Sequence, residues 1–233
     1  MELHSLFPTV VATDRLRLDP LDTAAQLQTL LRLRGDQLSN PDPGCAWTGD
    51  LNGVWQVHEL PDLQLLADQV IRKVWGYLDA TGFDCQQVDL HLQRSWPVFS
   101  DFGQVVGRHH HPNAHLSAVL YLSGAGCGDE GAFCLHAPHQ LNELVPGLAV
   151  GLNGPIASDH PFNQTHWTLA PEPGLLVLFP SQLHHSVLEN IDEESLRISI
   201  SFDFVLTARA SQPPPEYLSP HPHQWHRCQR LMP

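Results

Sequence analysis

The sequence predicts a mostly β fold, a double-sheet jelly roll with N-terminal helices packed on one outer face. Three observations predict it. Apolar residues recur at a helical spacing over the first third of the chain and at a spacing of two from Val88 onward. Two helical segments come first, followed by seven or eight short strand-like runs. Turn signals separate those runs at roughly ten-residue intervals, the rhythm of an antiparallel double sheet.

Leu6 to Ala12 reads as a short entry strand. Asp22 and Thr23 then offer an N-cap for a helix from about Ala24 to Arg34, stopped by Gly35. Residues 36 to 53 carry Asn40-Pro-Asp-Pro-Gly44 and Asn52-Gly53, which are loop and turn chemistry. Pro61 suits the first turn of a second helix, and Leu63, Leu66, Val70, Val74 and Leu78 repeat at helical spacing as far as Gly82. Leu65, Ile71 and Trp75 widen its apolar face, as a helix covering a sheet requires.

Strands are predicted where Val88, Leu90 and Leu92 alternate with polar residues, leading to Trp96, and where Leu116 to Leu122 alternates. A Gly-rich turn (124 to 131) and a short strand from Ala132 to Leu135 follow. Residues 136 to 163 read as a long loop with one strand near Leu148 to Leu152; loops of that length are usually lids or binding loops. Strands at 165–169, 174–180 and 196–206 complete the set. These elements form one domain, residues 1–207. The Pro/His-rich stretch 208–233 reads as a C-terminal arm. Its His221, His223, His226 and Cys228 are metal-binding types, but a solvated tail is the plainer reading.

A chain of 233 residues is enough for one good-sized domain, burying roughly 70–75% of its unfolded surface. The formal charge of −13 argues against extended nucleic-acid contact, which needs clustered cations. Apolar runs are too short to span a membrane. The first residues lack a basic segment before an apolar one, so a cytoplasmic location is expected. Five cysteines without a Cys-x-x-Cys pair fit free thiols in a reducing compartment.

The chemistry concentrates in Gly107-Arg-His-His-His-Pro-Asn-Ala-His-Leu116. In an extended backbone residues i and i+2 share a face, so His109 and His111 would point at one metal and His110 away. His185, in Leu183-His-His-Ser-Val187, is the candidate third ligand, with His184 facing away. His115 is either a supporting donor or simply exposed. Neutral imidazoles suit iron, zinc, copper or nickel, so the ligand type does not name the metal. In the last strand Arg197, Ser199, Ser201 and Asp203 share one face, and Ile198, Ile200, Phe202 and Phe204 the other. With the polar face lining a barrel mouth, Arg197 can form a two-pronged salt bridge to a carboxylate and Ser199 can add a hydroxyl. A half-exposed strand with that face in water gives the same pattern.

An ordered set of pieces carries a resemblance. They are Leu6-Phe-Pro-Thr9, Trp96, His109-x-His111-Pro-Asn113, Leu116-Ser-x-Val-x-Tyr-Leu122, Pro138, Phe179-Pro-Ser-x-Leu-x-His-x-Val187 and Arg197-Ile-Ser-Ile-Ser-Phe202. The chain resembles the small bacterial and phage 2-oxoglutarate–Fe(II) oxygenases of the prolyl-hydroxylase-like superfamily. The resemblance implies a double-stranded β-helix of the jelly-roll or cupin-like type, and Fe(II) and 2-oxoglutarate as cofactors. It implies iron ligands at His109, His111 and His185, and Arg197 gripping the distal carboxylate of 2-oxoglutarate. Tyr121 matches a strand tyrosine that helps hold that carboxylate, a core aromatic being the alternative.

The implied reaction is an O2-dependent oxidation, most often hydroxylation of a small molecule or peptide, releasing succinate and CO2. One departure stands out: the usual two-His, one-carboxylate triad has His111 where the carboxylate belongs. Two rivals therefore stay open, a three-His cupin-like dioxygenase that uses no 2-oxoglutarate and a non-catalytic metal-binding jelly roll. Trp96, Asn113, His136, His139 and Trp167 are the candidate substrate-pocket residues, with Asn153 and His160 as further linings. Substrate identity and oligomeric state stay open, with a homodimer compatible with the sequence.

Overall fold

A computed structural model describes residues 8–124, 131–138, 154–157, 160 and 164–228. Strand β1 covers Ala12–Arg15, later than the expected entry strand. Helix α1 is Pro20–Arg34. It starts ahead of the expected Ala24 because Asp19 is the cap: its side chain accepts from the backbone N–H of Leu21 and Asp22, with Pro20 in the first turn. Gly35, at φ 59°, ends it as expected. Helix α2 is Pro61–Ala80. Its buried stripe is Leu63, Leu66, Ala67, Val70, Val74, Tyr77 and Leu78. Leu65, expected to widen that stripe, lies on the outer side at 71% exposure, whereas Ile71 and Trp75 do pack against the core.

The other strands are β2 (Trp47–Thr48), β3 (Val88–Ser100), β4 (Val106–His109), β5 (Leu116–Ser123), β6 (Phe133–His136), β7 (His166–Leu169), β8 (Leu175–Pro180), β9 (His185–Val187) and β10 (Arg197–Ala208). Among the described residues they form a six-stranded sheet, β1-β8-β5-β10-β3-β2, and a four-stranded sheet, β4-β9-β6-β7. Every ladder between named strands is antiparallel. The expected strand near 148–152 and the pocket candidates His139 and Asn153 lie outside the described residues.

Alternation along β10 decides what goes where. Ile198, Ile200, Phe202 and Phe204 join the core between the large sheet and the helices, with Leu30 of α1, the α2 stripe, and Ala118 and Leu120 of β5. The opposite face, Arg197, Ser199, Ser201 and Asp203, is buried too, at 0–8% exposure. That excludes the half-exposed alternative. Between the sheets, Val119, Tyr121, Phe133, Leu135, Val177, Phe179 and Leu183 form a second apolar cluster. Beyond β10 the chain doubles back along the start of β3: Ala208 N–H donates to Ser219 O, Ala210 N–H to Asp89, and His221 stacks on His91.

Candidate metal centre and active site

His109 closes β4 and His185 opens β9, and the two are register partners in the small sheet. His111 lies two residues past the end of β4, just before the Pro112-Asn113 turn; its N–H donates to Ser181 O, which ties it to the residue after β8. The three imidazoles nonetheless converge. One nitrogen from each lies within 4.8 Å of the others, and the ring centroids are 4.2–5.2 Å apart.

The hydrogen bonds decide which nitrogens face inward. His109 Nδ1 lies 2.8 Å from Gly107 O, and His185 Nδ1 2.9 Å from Leu183 O. A carbonyl only accepts, so in both rings Nδ1 carries the hydrogen and Nε2 keeps its lone pair. His111 Nδ1 lies 2.7 Å from Asp203 Oδ1, with the same consequence. Burial pushes His185 down to about 3, helped by the adjacent His109 charge. Burial also lowers His109. Asp203 is fully buried, which alone would raise its carboxyl; the hydrogen bond and charge of His111, then Arg94 and Ser117, outweigh this and hold it low. Burial thus disfavours the charged form of His109 and His185, and the neutral ring is the state in which imidazole ligates a metal.

The trio stands in a cavity of about 490 Å³ lined on its apolar side by Val98, Val106, Phe133 and Val187. Trp96, Asn113, Tyr121, Ser199 and Ser201 also line it. His136 and Trp167, expected there, do not. Phe133 and Leu135 are the inward residues of β6, so His136 falls on the other face and pairs with Ser186. Trp167 sits on the edge strand β7 at 47% exposure. His160 is likewise absent from the lining. His110 and His184 are exposed and stack on each other at 4.8 Å, outside the convergence. His115 is exposed and accepts from Leu206 N–H, so it supports none of the three rings.

Arg197 is the least ordinary group. At 1% exposure it is fully buried and has no carboxylate partner among the described residues. Nη1 donates to Gly131 O at 2.8 Å and Nη2 to Ser100 Oγ, leaving Nε without a partner. Burial accordingly pulls the guanidinium down, opposed by nearby Tyr121. The Tyr121 hydroxyl is fully buried and also without a partner. Burial raises that phenol and the Arg197 charge acts the other way; in the β10–β5 ladder Tyr121 is opposite Ser199, two residues along from Arg197. A buried cation beside an idle buried donor is a costly arrangement unless an anion completes it.

Three groups that sequence reading gave no role complete the site: Asp203, Ser117 and Arg94. Ser117 Oγ is 2.8 Å from Asp203 Oδ1 and 2.9 Å from Ser181 Oγ. Arg94 Nη2 donates to Asp203 Oδ2 at 2.7 Å, and its guanidinium lies over the Trp96 ring at 4.8 Å. Placing Asp203 on the Arg197 face was a signal for it, though nothing in the sequence named its partner.

A family model described as "Putative 2OG-Fe(II) oxygenase" matches residues 94–203, the stretch that holds all of these groups. Over that stretch the chain matches the 2-oxoglutarate–Fe(II) oxygenases. Of the three readings the sequence left open, the one requiring iron(II) and 2-oxoglutarate stands, and the enzyme is an oxidoreductase that consumes O2. No curated protein sequence matches the chain significantly.

Solved structures share its fold. A Pseudomonas putida prolyl-4-hydroxylase is 17% identical, with TM-score 0.52 over 84% of this chain and 92% of its own. The 2-oxoglutarate-dependent epimerase SnoN of nogalamycin biosynthesis is 14% identical, with TM-score 0.56 over 95% and 89%. HygX of Streptomyces hygroscopicus, solved with nickel and 2-oxoglutarate, is 14% identical, with TM-score 0.53 over 91% and 85%. The fold of this oxygenase is thus the double-stranded β-helix expected. The residues present fit both cofactors: three convergent imidazole lone pairs suit a divalent metal, and the unpaired Arg197 with the idle Tyr121 hydroxyl suits a dicarboxylate. No helix among the described residues is long and apolar enough to cross a membrane.

Proposed function

We propose that His109, His111 and His185 hold iron(II) through their Nε2 atoms. Arg197, with Ser199 and Tyr121, holds the distal carboxylate of 2-oxoglutarate. The enzyme hydroxylates an organic substrate admitted beside Trp96 and Asn113. The observation that carries this reading is the buried Arg197, whose charge has no carboxylate to answer it within the described protein. A bound dicarboxylate supplies that missing partner, and Tyr121 Oη gains an acceptor in the same event.

Iron with 2-oxoglutarate and O2 supplies the oxidation of a C–H bond, with release of succinate and CO2. The protein's own contribution is placement. The carbonyls of Gly107 and Leu183 fix two ring tautomers, and Phe133 and Phe179 pack against His185, with ring centroids 5.5 and 4.8 Å away. The apolar walls of Val98, Val106 and Val187 exclude water from the reacting region. The cavity volume of about 490 Å³ supports a small molecule or a single peptide side chain as substrate. Residues 1–207 would constitute the catalytic domain and 208–233 an accessory arm. The free cysteines among the described residues support a cytoplasmic setting, and the −13 charge supports a substrate other than an extended nucleic acid.

The test is Arg197→Ala, assayed for succinate formation and for anaerobic iron binding. The expected result is loss of 2-oxoglutarate turnover with iron binding largely intact. Equal loss of both would make Arg197 a structural residue and overturn its assignment.

A further inference from the structure

The three imidazoles are tied down through Nδ1 by acceptors that are not alike. His109 and His185 donate to the neutral carbonyls of Gly107 and Leu183, whereas His111 donates to a carboxylate, Asp203. His111 is also the residue that stands where the usual ligand set has its carboxylate. We propose that Asp203 is the positioning residue of this centre, supplying through His111 the negative charge that three neutral imidazoles lack. The inference rests on the ligand set proposed above.

The surroundings of Asp203 allow it little else. It is 0% exposed. Oδ1 accepts from His111 Nδ1 at 2.7 Å and from Ser117 Oγ at 2.8 Å, and Oδ2 accepts from Arg94 Nη2 at 2.7 Å. The backbone imposes this pairing. In the β10–β3 ladder Asp203 is opposite Arg94, and the register shifts immediately afterwards, so that Phe204 is opposite Leu92. In the β10–β5 ladder Asp203 is opposite Ser117. The carboxylate is thus pinned from both neighbouring strands, Oδ2 by Arg94 and Oδ1 by Ser117, which shares that oxygen with the imidazole.

A carboxylate accepting Nδ1–H makes the far nitrogen a stronger donor and fixes the ring's orientation, effects that a neutral carbonyl delivers more weakly. Arg94 is the counterweight. It pairs with the other carboxylate oxygen, lies over Trp96, and lines the cavity, and so draws part of the Asp203 charge away from His111. Asp203 and Arg94 therefore act on the metal in opposite directions, although they form one salt bridge.

That opposition gives the test. Metal-free wild type, Asp203→Asn and Arg94→Gln are each titrated anaerobically with Co(II) against a competing chelator, with the Co(II) absorption spectrum and the folded fraction recorded alongside. Asp203→Asn is expected to weaken binding by about 10- to 100-fold per folded molecule. Arg94→Gln keeps a neutral donor to Oδ2, frees the carboxylate's charge for His111, and is expected to tighten binding several-fold. Wild-type affinity in Asp203→Asn, or weakening in Arg94→Gln like that in Asp203→Asn, overturns the proposal and leaves the network as a fold element. If Asp203→Asn does not fold, the sign of the Arg94→Gln change decides alone. If wild type itself binds no Co(II), the three-histidine ligand set fails, and this inference with it.

Discussion

Acid should unfold the metal-free enzyme through His185, and the size of the effect follows from its burial. His185 is 3% exposed, its Nδ1–H is used by Leu183 O, and burial with the neighbouring His109 lowers its pKa to about 3. In the unfolded chain a histidine titrates near 6.5. Between those values the unfolded state binds a proton that the folded state refuses, so stability falls as the pH drops. The slope is about 1.4 kcal/mol per pH unit from this one residue, and between pH 6.5 and pH 4.5 the loss reaches roughly 2–3 kcal/mol. His109 is shifted in the same direction and steepens the trend.

The comparison variant is His185→Phe, which keeps a ring against Phe133 and Phe179 but has nothing to titrate. Chemical denaturation of both metal-free proteins from pH 4.5 to pH 8 should give curves whose separation changes by that amount, wild type losing more on acidification. Parallel curves would refute the claim that the folded protein holds His185 neutral. An effect of the opposite sign would show that a nearby anion stabilises the charged ring.

Three further outcomes are expected. Leu78→Ala, at a fully buried α2 position, should cost about 2–5 kcal/mol in denaturation, whereas Leu65→Ala at 71% exposure should stay within about 0.5 kcal/mol. Tyr121→Phe removes a hydroxyl with no partner in the ligand-free protein, so stability should hold or rise. The same change should weaken 2-oxoglutarate binding by about three- to tenfold in calorimetric titration, the worth of one lost hydrogen bond. Removing iron with a chelator should abolish succinate formation, and Fe(II) should restore it; full activity after chelation would contradict the metal reading.

Much of the fold was legible because burial imposes period on sequence. The α2 stripe and the β10 alternation were readable since each faces a continuous apolar layer. The start of α1 was misplaced because a side-chain cap at Asp19 outranked the later Asp22-Thr23 signal. The His109–His111 pair was readable from its i, i+2 spacing, although His111 itself lies beyond the end of β4. His136 could have been set aside by the parity of its own strand, given Phe133 and Leu135. The Asp203–His111 contact was out of reach, because it joins distant parts of the chain through a register shift that no local pattern announces.

The central claim is that these three histidines hold iron(II) in a form that 2-oxoglutarate can chelate. Its most direct test is anaerobic addition of Fe(II) to the metal-free enzyme, followed by 2-oxoglutarate, while watching for the weak visible charge-transfer band of a 2-oxoacid bound to iron. The account expects a band that saturates at one equivalent and is absent from His111→Ala. Iron binding without such a band, or no iron binding at all, would contradict it.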